Sequence, residues 1–380
     1  YGFFSKNNKP NETIWIHGAS VGEILSIIPI VMKFEEDKRI KRILITSSTT
    51  SSSHILSKFK FKKTIHQFFP IDTSVHTNIF LNYWKPDLAV FVDSEIWPNM
   101  LLNLKKKNTP VVLLKKRIKK KSFKRWNYLR SFSKKIFKCF DVTFPQNKET
   151  TKYLKILEVK KIKILGNIKF SENENWSKGK IDSKINKFLK NKNYWCAAST
   201  HYNEETICAN VHNKIKKKIK KLVTIIIPRH IHRTSKIEDD LNNLGLKIHC
   251  HSSRKKIKQN TDIYIVDTYG ETNSFFKACN VVFLGGSLIN HGGQNPLEAA
   301  RNNCKIINGP YVQNFKEIYE LLDKNKVSNK VKNSLELEKK VNFLLKENKR
   351  SSNVSLKINR LGKKILEKTI YELNFFLNKI

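Results

Sequence analysis

The stretch that decides the fold is "TIWIHGASVGE", residues 13–23. An apolar run ends at His17. Gly18, Ala19, Ser20 and Gly22 then crowd small residues into a tight turn, and Glu23 follows. Read locally, this is a strand, a turn and a helix start. Ser20-x-x-Glu23 has the spacing of a capping box, in which the serine caps the helix and the glutamate reaches back to the cap's own N–H. A carboxylate just past a strand end also suits a catalytic base. The two readings compete for one side chain.

Working outward, similar short apolar runs recur. The first half has "RILIT" (42–46), "HQFFP" (66–70), "LAVFV" (88–92), "PVVLL" (110–114), "DVTFP" (141–145) and "IKIL" (162–165). The second half has "YWCAAS" (194–199), "LVTIII" (222–227), "LKIHC" (246–250), "DIYIV" (262–266), "NVVFLG" (280–285) and "KIIN" (305–308). Val- and Ile-rich runs separated by amphipathic stretches predict βαβ units and parallel sheets. A polar stretch around 166–193 separates the two series. The expected architecture is α/β, with two Rossmann-like doubly wound domains facing across a cleft. They divide as residues 1–167 and 168–380, with the last helix free to return to the first domain. Ligands in such sheets bind beyond the carboxyl ends of the strands.

The 380 residues suit two domains, and 39% hydrophobic content fits a globular chain rather than a disordered one. Lys and Arg number 73 against 32 acidic residues, a net charge of +41. Such a field favours polyanions, although the abundance of Lys, Asn and Ile also reads as compositional drift. The densest basic run is "KKRIKKKSFKR" (115–125). It is either a solvated face or a contact for phosphates of a substrate or membrane lipid. It lacks the aromatic spacing of a nucleic-acid-binding sheet. The six cysteines show no CxxC pair and read as reduced. In "HCH" (249–251) neighbouring side chains point to opposite faces of a strand, which argues against a shared metal. No apolar run approaches the ~18 residues of a membrane span.

Several strand ends carry candidate chemistry. In "FLGGSLINHGGQNPLEAA" (283–300) two glycine pairs permit close backbone approach. Asn295 can cap a helix, with Pro296 in its first turn and Glu298 three residues on. A helix start behind glycine loops is an anion site. "IIIPRH" (225–230) ends on Pro228 and Arg229, and an arginine there suits a phosphate. "VDTYGE" (266–271) reads as a turn or a ligand loop. In "STHYNEE" (199–205), Ser199 or Thr200 is the expected cap, with Glu204 and Glu205 in the first turn. "FVDSEIWPN" (91–99) places Asp93 and Glu95 after a strand, and "GNIKF" (166–170) offers Lys169.

Together "WIHGASVGE", "FFPIDT", "DSEIWPN", "GNIKF", "ASTHYNEE", "PRHIHR", "VDTYGE" and "GGSLINHGGQNPLEAA" resemble the 3-deoxy-D-manno-octulosonic acid (Kdo) transferases of lipopolysaccharide synthesis. The motifs keep the family's order over about residues 12–320. The resemblance implies a GT-B fold and inverting transfer of Kdo from CMP-Kdo to the lipid A precursor. It implies that Glu23 is the base and that Glu95 and Lys169 support the transition state. It assigns CMP to Pro228, Arg229, Tyr269, Gly270, Glu271, Asn295, Pro296, Leu297 and Glu298. It implies no metal and no cofactor. The expected partners are CMP-Kdo, the lipid A precursor and an anionic membrane surface, not nucleic acid.

The chain departs from the family pattern at Lys115-Lys116, where Asn-Ala is usual, in "DSEIWP" for "ETELWP" and in "GGQNP" for "GGHNP". The family's N-terminal hydrophobic anchor is not in this sequence, which starts at Tyr1. Either it was trimmed or the protein meets the cytoplasmic face of the inner membrane by its basic surface. The rival readings are a basic peripheral binder of nucleic acid or anionic lipid, and another GT-B enzyme with a UDP donor.

Overall fold

The computed structural model describes residues 13–93, 96–116, 118, 120–171, 181–347, 349–351 and 354–377. The chain divides into two compact units. The first comprises Tyr1–Asn173 with Arg360–Ile380, and the second comprises Glu174–Asn359. Lys169 therefore belongs to the first unit.

The first unit holds β1 (Thr13–His17), β2 (Arg42–Ser47), β3 (Thr64–Phe68), β4 (Leu88–Val92), β5 (Val111–Lys116) and β6 (Val142–Pro145). They form one parallel sheet in the order β3-β2-β1-β4-β5-β6. Strands β1 and β4 are buried at every residue, as expected for a sheet covered on both faces. Trp15, Phe80, Phe91, Phe137 and Phe140 are fully enclosed at its core. Removing any one of these rings is expected to cost ~3–5 kcal/mol.

One expected strand does not form. Within "IKIL" only a single bridge, Thr143 to Ile162, is made. Thr143 exchanges both of its backbone bonds with Lys161 and Lys163. The next rung on β6 would need an N–H from Pro145, which has none.

The second unit holds β7 (Asn193–Thr200), β8 (Leu222–Pro228), β9 (Ile248–Cys250), β10 (Ile263–Ile265), β11 (Val281–Leu284), β12 (Lys305–Asn308) and β13 (Ser328–Lys330). Their order is β13-β12-β11-β7-β8-β10-β9, again all parallel. Its core surrounds Trp195, Ile226, Phe283 and Leu337. Strand β13 is short and polar, and it lies outside the apolar runs of the sequence.

In both sheets the chain reverses direction beside its first strand. The switch point is β1/β4 in the first sheet and β7/β11 in the second. Binding crevices of doubly wound sheets lie there, past the strands' carboxyl ends.

The last helix, Val354–Leu377, starts in the second unit and finishes in the first. A Cβ at Gly362 would lie 1.9 Å from the Phe170 carbonyl oxygen, so only glycine allows this helix to sit on the 3-10 turn Ile168–Ser171. Lys163 pairs with Glu372 on the same helix. No helix among the described residues is long and apolar enough to cross a membrane.

Candidate active site

At the first switch point, the turn after β1 leads into the helix Val21–Glu36. Ser20 is its N-cap, in extended backbone geometry, and the capping box is complete. The Glu23 N–H donates to Ser20 Oγ (3.4 Å). Glu23 Oε2 accepts from the N–H groups of Ala19 (2.7 Å) and Ser20 (3.1 Å). One carboxylate oxygen therefore points back at the turn, and the residue as a whole is half-buried. The bonds tie that oxygen to the turn at the carboxyl end of β1.

The motifs around it are tied together by contacts distant in sequence. His17 is fully buried. Its Nε2 accepts from the Trp97 indole N–H (3.2 Å), which assigns its proton to Nδ1, facing the carbonyl and hydroxyl oxygens of Thr46. Its ring lies 4.1 Å from that of Phe69. Asp72 accepts from the N–H groups of Asn99 (3.2 Å) and Met100 (2.8 Å). It thereby caps the helix Pro98–Lys106, whose own cap residue, Trp97, makes no side-chain bond to the helix start. His17 and Asp72 thus join "HGASVGE" and "FFPIDT" to "SEIWPN".

Asp93, at the end of β4, has φ +56°, a conformation that Asp tolerates better than most residues. Glu95 lies outside the described residues. Lys169 is half-buried in the 3-10 turn, which packs against the helix that Glu23 begins. Lys115 and Lys116 end β5, and Arg117 lies outside the described residues.

At the second switch point a different glutamate dominates. Glu204 is fully buried in the first turn of the helix Glu204–Lys216. It accepts four backbone N–H groups: His201 (3.0 Å), Gly286 (2.6 Å), Ser287 (3.2 Å) and Leu288 (3.1 Å). Burial pushes its carboxyl above the usual range, against the pull of these four donors. A Cβ at Gly285 would lie 2.5 Å from the Ser199 carbonyl oxygen and 2.8 Å from Glu204 Oε2, so backbone packs directly on backbone. Asn203, with φ +71° and no side-chain cap bond, stands at the cap position expected for Ser199 or Thr200. Glu204 has taken over the work of joining the loops.

Beside it His201 accepts from the Gln294 side-chain amide (3.1 Å), and the His291 ring lies 4.0 Å away. Burial first, then the neighbouring His291, His230, Arg229 and Arg233, pulls the His201 pKa down to about 4. Arg233 is held by a two-point contact with buried Glu205 (3.0 and 3.2 Å).

The residues assigned to CMP all follow carboxyl ends of this one sheet. Pro228 ends β8 buried, and Arg229 is exposed beyond it, its N–H on the Thr200 carbonyl (3.0 Å). Tyr269 and Gly270 form an exposed turn after β10, and Glu271 occupies the cap position of the helix Thr272–Ala278. After β11 the helix starts one residue later than the sequence suggests. Pro296 holds the cap position, and the Asn295 side-chain oxygen accepts the Leu297 N–H (3.2 Å). The Leu297 side chain is core, while Glu298 is exposed. The helix Leu297–Arg301 has only five residues. Its dipole is small, so charged side chains must do most of the work of receiving an anion.

Comparison with known proteins identifies the family. The family model for 3-deoxy-D-manno-octulosonic-acid transferase (kdotransferase) matches residues 1–172. The chain is 34% identical to the 3-deoxy-D-manno-octulosonic acid transferase of Rickettsia bellii over 96% of this chain and 88% of that protein. It is 29% identical to the enzyme of that name from Haemophilus influenzae over 85% of this chain and 76% of that protein. Among solved structures, Staphylococcus aureus MnaA with UDP superimposes with a TM-score of 0.61 at 13% identity, over 97% of this chain and 98% of the other. The UDP-GlcNAc 2-epimerase of Neisseria meningitidis gives 0.59 at 11%, over 95% and 100%. These two likenesses establish the GT-B-type fold and nothing of chemistry. The sequence matches, over 96% and 85% of this chain, do not favour the basic-binder and UDP-donor readings. The chain belongs to the 3-deoxy-D-manno-octulosonic acid transferase family, glycosyltransferases built on two parallel-sheet α/β domains.

Proposed function

We propose that this Kdo transferase moves Kdo from CMP-Kdo to a hydroxyl of the lipid A precursor in one inverting displacement, with Glu23 as base. The observation that carries this is the placement of Glu23. It is a half-buried carboxylate fixed by two backbone N–H groups at the carboxyl end of the first sheet's switch strand.

In the reaction, the acceptor oxygen bonds to the anomeric carbon as its proton passes to the Glu23 carboxylate. The bond from that carbon to the CMP phosphate oxygen breaks, and CMP leaves with the electron pair. The centre is oxocarbenium-like in transit, as in glycoside hydrolysis. The charge left on the phosphate needs fixed cations and dipoles. Arg229 and Lys169 are assigned that role, Glu95 is assigned support of the positively charged oxocarbenium-like centre, and the turn Tyr269–Glu271 and the segment Asn295–Glu298 are assigned the nucleotide. Such groups supply charge stabilisation without a metal or a cofactor.

The lipid acceptor calls for a membrane surface. Helices Lys120–Tyr128 and Arg130–Phe137 support peripheral docking on the cytoplasmic face of the inner membrane. The first has no fully buried residue. Tyr128 (88% exposed), Leu129 (55%) and Phe132 (44%) offer apolar anchors beside Lys120, Lys121, Lys124 and Arg125. Each basic residue near an anionic leaflet is worth about 1 kcal/mol.

The test is incubation with CMP-Kdo and the tetraacylated, bisphosphorylated disaccharide, with chelator and no added metal, followed by mass spectrometry of the lipid. Kdo-modified lipid is expected. No product, under conditions where the Haemophilus influenzae relative turns over, overturns the proposal.

A further inference from the structure

We infer that the second domain carries a further anion-binding site, sharing only Glu271 with the residues assigned to CMP, that takes a small polyanionic phosphate. The site is a cavity of ≈ 980 Å³ at the β9 edge of the sheet, a volume within the usual range for small-molecule pockets. Every residue lining it belongs to the second unit.

Its floor is the face of β9 and β10 turned away from the main core. Ile263 and Ile265 point into that core, with Cys250 packed against it. His249, His251 and Tyr264 point the other way and line the cavity. This floor is rigid. The Tyr264 ring stacks on His249 (5.6 Å, 24°), and its hydroxyl bonds His251 Nδ1 (2.9 Å). Burial holds His249 below the ordinary histidine value, so that imidazole offers the cavity hydrogen bonding rather than charge.

The charge comes from the walls. The helix Ser183–Leu189 contributes Lys184 and Lys187, and the loop after β9 contributes Arg254, Lys255 and Lys256. No carboxylate or hydrogen-bond partner holds any of these five head groups among the described residues. Some cations of this domain are paired, Lys216 with Asp262 and Arg233 with Glu205. Two unpaired basic walls across one concave space repel each other, and an anion between them reverses the sign of that interaction. Lysine point charges and an arginine fork are the groups that suit phosphate oxygens.

Two carboxylates also line the space. Asp182 is engaged in capping, accepting the Lys184 N–H (2.7 Å). Glu271 is the one lining residue that is also assigned to CMP. Its negative charge disfavours a phosphate beside it, so the bound anion sits among the five cations instead.

The test is calorimetric titration of the full chain with inorganic pyrophosphate at low salt. Saturable 1:1 binding is expected, unchanged by saturating CMP. It should weaken at least tenfold in Lys187→Glu/Lys255→Glu and less than twofold in the control Lys58→Glu/Lys60→Glu, which reverses the same charge in the other domain. Lys187→Gln/Lys255→Gln repeats the test without introducing new carboxylates, and it too should weaken binding. Absence of binding, displacement by CMP, or equal loss in the control overturns the proposal. Flotation with phosphatidylglycerol vesicles separates the two sources of phosphate. If the Lys187/Lys255 variants lose vesicle binding while wild type ignores pyrophosphate, the site belongs to lipid headgroups and the inference fails.

Discussion

Each domain begins with the same device, used differently. In both, a fully buried tryptophan sits in the opening strand, Trp15 or Trp195. A turn of small and polar residues follows, and a glutamate in the first helical turn reaches back to backbone N–H groups. Glu23 closes its own turn and stays half-buried. Glu204 is sealed and binds four N–H groups drawn from two loops. The lesson is that one motif can be spent on architecture or kept for chemistry, and that burial tells which. Glu204 cannot meet a substrate. It ties the loops after β7 and β11 together, and Glu23 is the carboxylate proposed for the chemistry.

The largest effect expected from this contrast is on stability. Glu204→Ala removes one acceptor and orphans four N–H groups, three of them in the loop Gly286–Leu288. It should cost about 3–5 kcal/mol in urea unfolding of the second domain. A loss under 1 kcal/mol would mean that the loop stands without its clamp.

The next effect is a pH response. His201 folds neutral, with its pKa drawn down to about 4. The unfolded chain binds a proton near pH 6.5 and the folded chain does not, so stability is full above that value and falls as the pH drops towards 4. The loss should reach about 2 kcal/mol by pH 4.5, and His201→Asn should flatten that slope. An NMR titration midpoint near 6.5 for His201 would contradict the buried, neutral assignment.

The smallest effect separates the two tryptophans. The Trp15 indole donates to the Thr46 hydroxyl (2.9 Å), whereas the Trp195 indole N–H finds no partner among the described residues. Trp15→Phe should therefore cost about 1 kcal/mol more than Trp195→Phe. Equal costs would show that the Trp15 bond contributes nothing net.

The strands were legible because both faces of these sheets are buried, so Val and Ile run continuously. The failures have local causes. "IKIL" has strand composition, but its partner ends in a proline, and β13 pairs through its backbone with hardly an apolar side chain. The Ser20–Glu23 box was legible because it closes within four residues. Glu204 was legible as a helix-start residue but not as a clamp, since its other partners lie more than 80 residues away. Separations of 28 and 80 residues likewise hid Asp72 and His17, which position the "SEIWPN" segment from two other motifs. Spacing along a chain reveals caps, whereas contacts between loops need the fold.

The most direct test of the account is Glu23→Gln. Glutamine keeps an oxygen for the Ala19 and Ser20 N–H groups but cannot take a proton from the acceptor. The variant should unfold within about 1 kcal/mol of wild type, bind CMP unchanged, and transfer Kdo at least ~100-fold more slowly. Turnover within a few-fold of wild type would remove Glu23 from the chemistry and leave it, like Glu204, a purely architectural residue.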